Sequence, residues 1–173
     1  MLSRALRLLV FVVTAGLLSA GAGAAAWAQD DELEAMAAAL KDTTFTLQDG
    51  LKAGEREGQP ISAQFEMDDG KLQVSIYTTK GDDFSEVVAD PKTGAIVKTE
   101  KITDTDELND AADQKAAMAK AKTPLVAAAD AAVKENSGFR VVSIFPDLRD
   151  GHAVAEVTLL QGTTAKKVTE KLD

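Results

Sequence analysis

Two stretches of this chain, 81 residues apart, carry the same punctuation: Ile61, Ser62, Asp69-Gly70, Gly81 and Val87 fall on Val142, Ser143, Asp150-Gly151, Gly162 and Val168. Self-similarity at a fixed offset constrains the fold more than any single motif, because each copy is one supersecondary unit and has to be recognised before its residues are assigned chemistry. The shared positions are turn residues and strand starts. They predict two copies of a strand–turn–strand–turn–strand module.

The N-terminus predicts export. Arg4 and Arg7 form a positive segment, Leu8 to Leu18 an apolar run, and Ala26-Trp27-Ala28 a small-x-small cleavage site, the three parts of a signal peptide. The alternative is a retained membrane anchor, which Gly21 and Gly23 disfavour as a spanning helix. Cleavage after Ala28 leaves residues 29–173 in the periplasm or outside the cell, with no stable membrane insertion. The absence of cysteine excludes disulfides and a lipid-modified cysteine. Loss of Arg4 and Arg7 leaves 17 basic against 28 acidic residues, a net charge of −11. That balance argues against nucleic acid and anionic lipid as partners, since their phosphates repel it.

Periodicity divides the rest into residues 29–103 and 104–173. Asp31 and Glu34 read as a capping pair ahead of a helix whose apolar stripe is Leu33, Met36, Ala37 and Leu40. Thr46 is placed to cap a second helix from Leu47 to Glu57, weakened by Gly50 and Gly54. Strand alternation follows, with Ile61, Ala63, Phe65 and Met67 on one face and Ser62, Gln64 and Glu66 on the other. Leu72, Val74 and Ile76 alternate in the same way with Gln73, Ser75 and Tyr77, across the hairpin signal Asp69-Gly70. Further turns lead into strands at Phe84–Ala89 and Ala95–Thr99. In the second half, Asp104 and Glu107 repeat the capping pattern, and Thr123-Pro124 restarts a helix with Thr as cap. Strands are expected at Phe139–Phe145, His152–Leu160 and Ala165–Leu172. Each half is therefore expected to be helices followed by a three-stranded antiparallel meander, an α+β fold with the helices packed on one face.

The run from Ile61 to Val97 resembles a PepSY domain, whose pattern is a helix, a strand, a D-G hairpin turn and a strand ending in a D-x-x-T-G turn. Those elements fall here at Asp69-Gly70 and at Asp90, Thr93 and Gly94. The region from Thr123 to Asp173 is similar to a second copy through Asp150-Gly151, and departs from the pattern where Lys171 stands in place of Asp90. PepSY domains occur in propeptides of secreted metallopeptidases and in stand-alone envelope proteins. The resemblance implies a non-catalytic binding module that restrains a peptidase.

Catalytic constellations do not emerge from the sequence. With one histidine, His152, and no cysteine, Cys-His nucleophiles and multi-histidine zinc sites are excluded, and no Gly-x-Ser-x-Gly elbow or phosphate loop occurs. Asp104, Asp106, Glu107 and Asp110 invite a calcium reading, but Leu108 and Asn109 stand where a calcium loop needs an oxygen ligand and a glycine. No cofactor is expected and an enzyme ranks last. For contact with a partner, the expected surface is the polar face of the first hairpin, Gln73, Ser75 and Tyr77, together with an open sheet edge. The leading expectation is a protein partner such as a peptidase. A small-ligand or cation-binding protein, or a structural partner of an envelope complex, stands as the alternative, and the oligomeric state is left open.

Overall fold

The computed structural model describes residues 23–173, with side chains from residue 32. In chain order the elements are α1 Gly23–Leu40, α2 Leu47–Gly54, β1 Gln59–Asp68, β2 Lys71–Lys80, β3 Asp83–Ala89, β4 Ile96–Lys101, α3 Thr105–Lys120, α4 Leu125–Glu135, β5 Arg140–Arg149, β6 His152–Gln161 and β7 Thr164–Lys171. The protein is α+β. All seven strands join in one antiparallel sheet, ordered β4-β3-β2-β1-β5-β6-β7. The predicted positive segment and apolar run of the signal peptide lie outside the described residues. None of the described helices is long and apolar enough to cross a membrane.

The hairpins follow the turn chemistry. Asp69 and Gly70 have φ of 48° and 73°, and Asp150 and Gly151 have 52° and 83°. Positive φ at both central residues is the geometry of a tight primed turn, which matches the twist of the strands it joins. A bulge interrupts β1 between Pro60 and Ser62, and another interrupts β5 between Val141 and Ser143.

The β1 bulge corrects one expectation. Ile61 does not join Ala63 and Phe65 in the main core, but packs with Tyr77, Phe84, Ile102 and Ala111. An extra residue in one strand displaces the alternation that precedes it. The helices are not all on one face either. Ile76 meets α2 at Gly54, whereas its neighbour Tyr77 packs with Ala111 of α3. Successive strand residues point to opposite faces, so α2 and α3 lie on opposite sides of the sheet. The main core collects Met36 and Leu40 of α1, Leu47 and Leu51 of α2 and Leu125 and Ala129 of α4, against Phe65, Val74, Ile144, Val157 and Leu159. Both halves of the chain thus contribute to one continuous core.

Helix boundaries differ from the sequence pattern in three places. α1 begins at Gly23, before the predicted cleavage site, so Asp31 lies inside it rather than at its cap. α2 ends at Gly54 and is capped as expected, Thr46 and Asp49 forming a reciprocal capping box. α4 starts one residue later than Thr123-Pro124 indicates, with Pro124 at the N-cap and no side-chain cap bond. The weak glycines of α2 have a packing cause. A Cβ on Gly50 would lie 2.9 Å from Val74 Cγ1, and one on Gly54 would lie 2.7 Å from Ile76 Cγ2. α2 approaches β2 more closely than any side chain allows.

Arg140, at the start of β5, fastens the α1–α2 connection to the second half. Its guanidinium donates to the carbonyls of Leu40 at 2.8 Å, Phe45 at 2.8 Å and Thr43 at 3.4 Å, and lies over the Phe65 ring at 5.4 Å.

Two stability effects are expected in urea unfolding. Gly54→Ala gains about 1 kcal/mol of helix propensity but loses about 1–3 kcal/mol to overpacking against a stiff β-branched partner, so its net effect is destabilising. A stabilised G54A protein would show that α2 can retreat from β2. Arg140→Ala is expected to cost about 2–3 kcal/mol, in line with hydrogen bonds to a charged group. Arg140→Lys should recover less than half of that loss, because an ammonium lacks the planar fork that reaches both ends of the connection; full recovery would reduce the role of Arg140 to charge alone.

Candidate functional site

The D-x-x-T-G turn is built as its sequence demands. Asp90 Oδ1 accepts from the backbone N–H of Lys92 at 2.9 Å and of Thr93 at 2.8 Å, and from Thr93 Oγ1 at 3.0 Å. These bonds hold the Asp90 carboxyl below its ordinary pKa, the backbone bond from Thr93 contributing most. Gly94 takes φ of 70°, and a Cβ there would lie 2.8 Å from Phe45 Cε2. Thr43 Oγ1 donates to the Pro91 carbonyl. The turn is thereby docked on the α1–α2 connection, and it delivers β4 to the outer edge of the sheet.

That edge carries the one large apolar side chain exposed among the described residues, Val97 at 63%. Ala89 pairs with Ile96 and Val88 with Lys98, which leaves Val97 as the extra residue of a bulge. A bulge at a sheet edge re-aims a side chain. Beyond β4, Ile102 returns to the second cluster and its N–H donates to the Phe84 carbonyl at 2.9 Å.

Gln73, Ser75 and Tyr77 share one face of β2, as alternation predicts, but they do not form an exposed surface. Ser75 and Tyr77 are buried, Tyr77 at 5% exposure, and Gln73 is half-buried. The cause is α3, which lies over this face. Ser62 Oγ donates to Gln114 Oε1 at 2.6 Å, and Lys115 Nζ reaches the Gly81 carbonyl at 2.6 Å and Asp82 at 3.0 Å. Around the three residues sits a polar network. Ser75 Oγ lies 2.8 Å from Glu66 Oε1 and 2.7 Å from Glu86 Oε1, while Gln73 Nε2 donates to Glu66 Oε1 and Gln64 Nε2 to Glu66 Oε2 at 3.2 Å. Burial, reinforced by Glu86, Glu66 and Glu107, pushes the Tyr77 phenol far above its ordinary value, so it stays neutral. Burial likewise raises the Glu86 carboxyl.

The sequence signal for this cover was the chemistry of the face itself. Ser62, Gln64, Ser75, Ser143 and Thr158 are all buried, uncharged and polar. A solvated face of a sheet carries Lys and Glu, whereas small hydroxyls and amides suit a helix packed over them.

The remaining candidates are structural. Asp104 Oδ1 caps α3, accepting from the N–H of Asp106 at 3.0 Å and of Glu107 at 3.3 Å. Among the described residues, no group of three or more His, Asp or Glu side chains is arranged to hold a metal ion. His152 is exposed at the start of β6 beside Asp173, 2.5 Å from its carboxylate. A shallow cavity of about 270 Å³ lies between the end of α2, the start of β1 and the α3–α4 turn, with Leu51, Pro60, Met118 and Val126 as apolar lining and Glu55 and Lys122 as charged groups.

Gly94→Ala tests whether the turn positions the edge strand. The substitution forces positive φ on a side chain and crowds Phe45, so a loss of more than about 1 kcal/mol is expected, together with faster hydrogen exchange confined to β4. Unchanged exchange in β4 would mean that the strand holds its place without the turn. No family model matches the chain, and no curated protein matches it. Among solved structures, the chain is similar to a protein of Clostridium difficile 630 described as a "putative lipoprotein", with 17% identity and a TM-score of 0.40 over 71% of this chain and 81% of that chain.

Proposed function

We propose that this protein is an exported, non-catalytic binding module built from two PepSY-like units, and that it modulates a peptidase of the cell envelope or the extracellular space by docking through its β4 edge. The observation that carries this reading is the bulged, solvent-facing Val97 on β4, the strand at one end of the sheet formed by the described residues. Unpaired strand edges accept extended segments of other chains, and an apolar side chain beside them supplies the contact area.

The two-unit reading is supported by the bulges. They fall between Pro60 and Ser62 and between Val141 and Ser143, at the same 81-residue offset as the D-G turns. α2 with β1–β3 and α4 with β5–β7 then correspond element by element. Export rests on the pattern of Arg4, Arg7, Leu8–Leu18 and Ala26-Trp27-Ala28.

The test is a titration of the protein into the peptidases secreted by, or held in the envelope of, its source cell. Activity of one of them is expected to fall as the protein is added. Val97→Asp should raise the half-inhibiting concentration at least about fivefold, the effect of losing an interface contact worth 1 kcal/mol or more. No inhibition of any peptidase would remove this reading. The cavity beside Lys122 favours a second one, a small-ligand binder, and a rise in melting temperature with added ligand but no inhibition would move it to first place.

A further inference from the structure

The face beneath α3 holds more than a set of buried polar groups. The Ser75 hydroxyl has one hydrogen to donate, yet it lies within hydrogen-bond distance of two carboxyl oxygens, Glu66 Oε1 and Glu86 Oε1. Both contacts are hydrogen bonds only when one carboxyl is protonated and donates to Ser75 Oγ. Glu66 already accepts from Gln73 Nε2 and Gln64 Nε2. Three donors converging on one group suit a carboxylate, so the proton belongs on Glu86. The chain then runs from the Glu86 O–H to Ser75, and from the Ser75 O–H to the Glu66 carboxylate. Every hydrogen in it has one acceptor.

The charges around Glu86 come from each element packed against it. β1 contributes Glu66, β2 the neutral Tyr77 phenol, and α3 contributes Glu107. β4 contributes Lys98 and Glu100, which are paired with each other at 2.6 Å. α3 thus brings a carboxylate toward this face. The first turns of α3 rest on this face through Leu108 and Ala111, whereas its second half is also anchored by Gln114 on Ser62, by Lys115 on the Gly81 carbonyl and by the buried Ala117.

We propose that Glu66, Ser75 and Glu86 form a proton-sharing latch beneath α3. With the shared proton in place the N-terminal half of α3 is closed over Tyr77. Once it is lost, Glu66 and Glu86 oppose one another as carboxylates across Ser75, and that half of the helix loosens. The latch is closed while Glu86 keeps its proton and opens as pH rises through the raised Glu86 value. Burial raises the Glu86 carboxyl above its unfolded value, so its contribution is complete below about pH 4.3, the ordinary glutamate value, and is lost as pH climbs through the raised native value. The proposal is independent of which partner the β4 edge binds.

Hydrogen exchange of the full chain between about pH 4 and pH 8, corrected for intrinsic exchange, reads the latch directly. Protection of the Leu108–Ala111 amides is expected to fall with rising pH, tenfold for each unit by which the Glu86 value exceeds that with α3 open. The Ala117–Met118 amides should hold constant as an internal control. Glu86→Gln supplies a donor to Ser75 that does not titrate, and should make the Leu108–Ala111 profile flat. Equal slopes in the wild type and the E86Q protein would overturn the proposal. Should E86Q fail to fold, Glu66→Gln takes its place, with a shallower slope expected and an unchanged slope counting against the latch. The carboxyl carbon resonance of Glu86 in the wild type gives an independent reading, and titration at or below about 4.3 would also overturn it.

Discussion

Everything else in this fold depends on a short stretch of backbone pairing between β1 and β5, where Ala63 meets Ile144 and Gln64 meets Ser143. Bulges flank it on both strands. Through those pairs a four-stranded array and a three-stranded one become a single seven-stranded sheet, and all four of the residues involved are buried. Small antiparallel sheets with one covered face are marginal alone, since they bury too little apolar area to offset chain entropy. Joining them lets Phe65 and Val74 of one half share a core with Val157 and Leu159 of the other. Arg140 adds a second clamp by tying the β5 side to the carbonyls that follow α1. The junction is thus held by backbone bonds in the sheet, by this guanidinium on one face and by the Ser62–Gln114 bond on the other.

The same junction explains the division of helices between the two faces. α1 presents Leu33, Met36 and Leu40, large apolar groups that suit the main core. α3 presents small or polar residues at its middle, Ala111, Gln114 and Ala117, with Leu108 and Met118 on either side. It therefore fits the opposite face, where Ser62, Gln64 and Ser143 lie at the seam and Ser62 can bond Gln114. Buried hydroxyls and amides are costly without partners, and a helix carrying Gln and Ala satisfies them without opening a void. The β1 bulge assists by turning Ile61 toward the α3 side, where it supplies apolar contact for Tyr77 and Ala111. What reads as a solvated face is a second, polar interior.

The hairpins were legible because their residues have few conformations to choose from. Asp-Gly pairs, the Asp90–Gly94 turn and the Thr46 capping box dictate local geometry through bonds to their own backbone, and each is found where its chemistry puts it. The α+β class was legible for a similar reason, because periods of 2 and 3.6 residues are properties of contiguous segments. Long-range choices were not legible in that way. Nothing in the residues next to Ile61 announces an extra residue in the ladder, since a bulge is a relation between two strands. Gln73, Ser75 and Tyr77 were placed correctly on one face. They were misjudged as exposed because alternation tells which residues share a face and is silent on what covers it. The glycines of α2 looked like defects and are contacts, a distinction that only the position of Val74 and Ile76 supplies.

The two edges of the sheet are not equivalent, and the difference bears on where a partner can dock. β7 carries Lys166, Lys167 and Lys171 in eight residues, and charged side chains of this kind blunt an edge against strand addition. Beside it, Leu172 is buried, and its carbonyl accepts from the N–H of Lys122 at 2.6 Å and of Thr123 at 2.8 Å, which draws the backbone after β7 toward the α3–α4 turn. β4 is charged as well, but its Lys98 pairs with Glu100 and its Lys101 with Asp83, and its bulge exposes Val97. An isolated exposed valine is ordinary on a protein surface. On the outermost strand of the sheet, positioned by a turn whose Asp90 and Thr93 side chains bond its own backbone, it has the rigidity that limits the entropic cost of binding. The first half of the chain therefore supplies the edge that exposes Val97, and the second half supplies α3, which closes the polar face behind it.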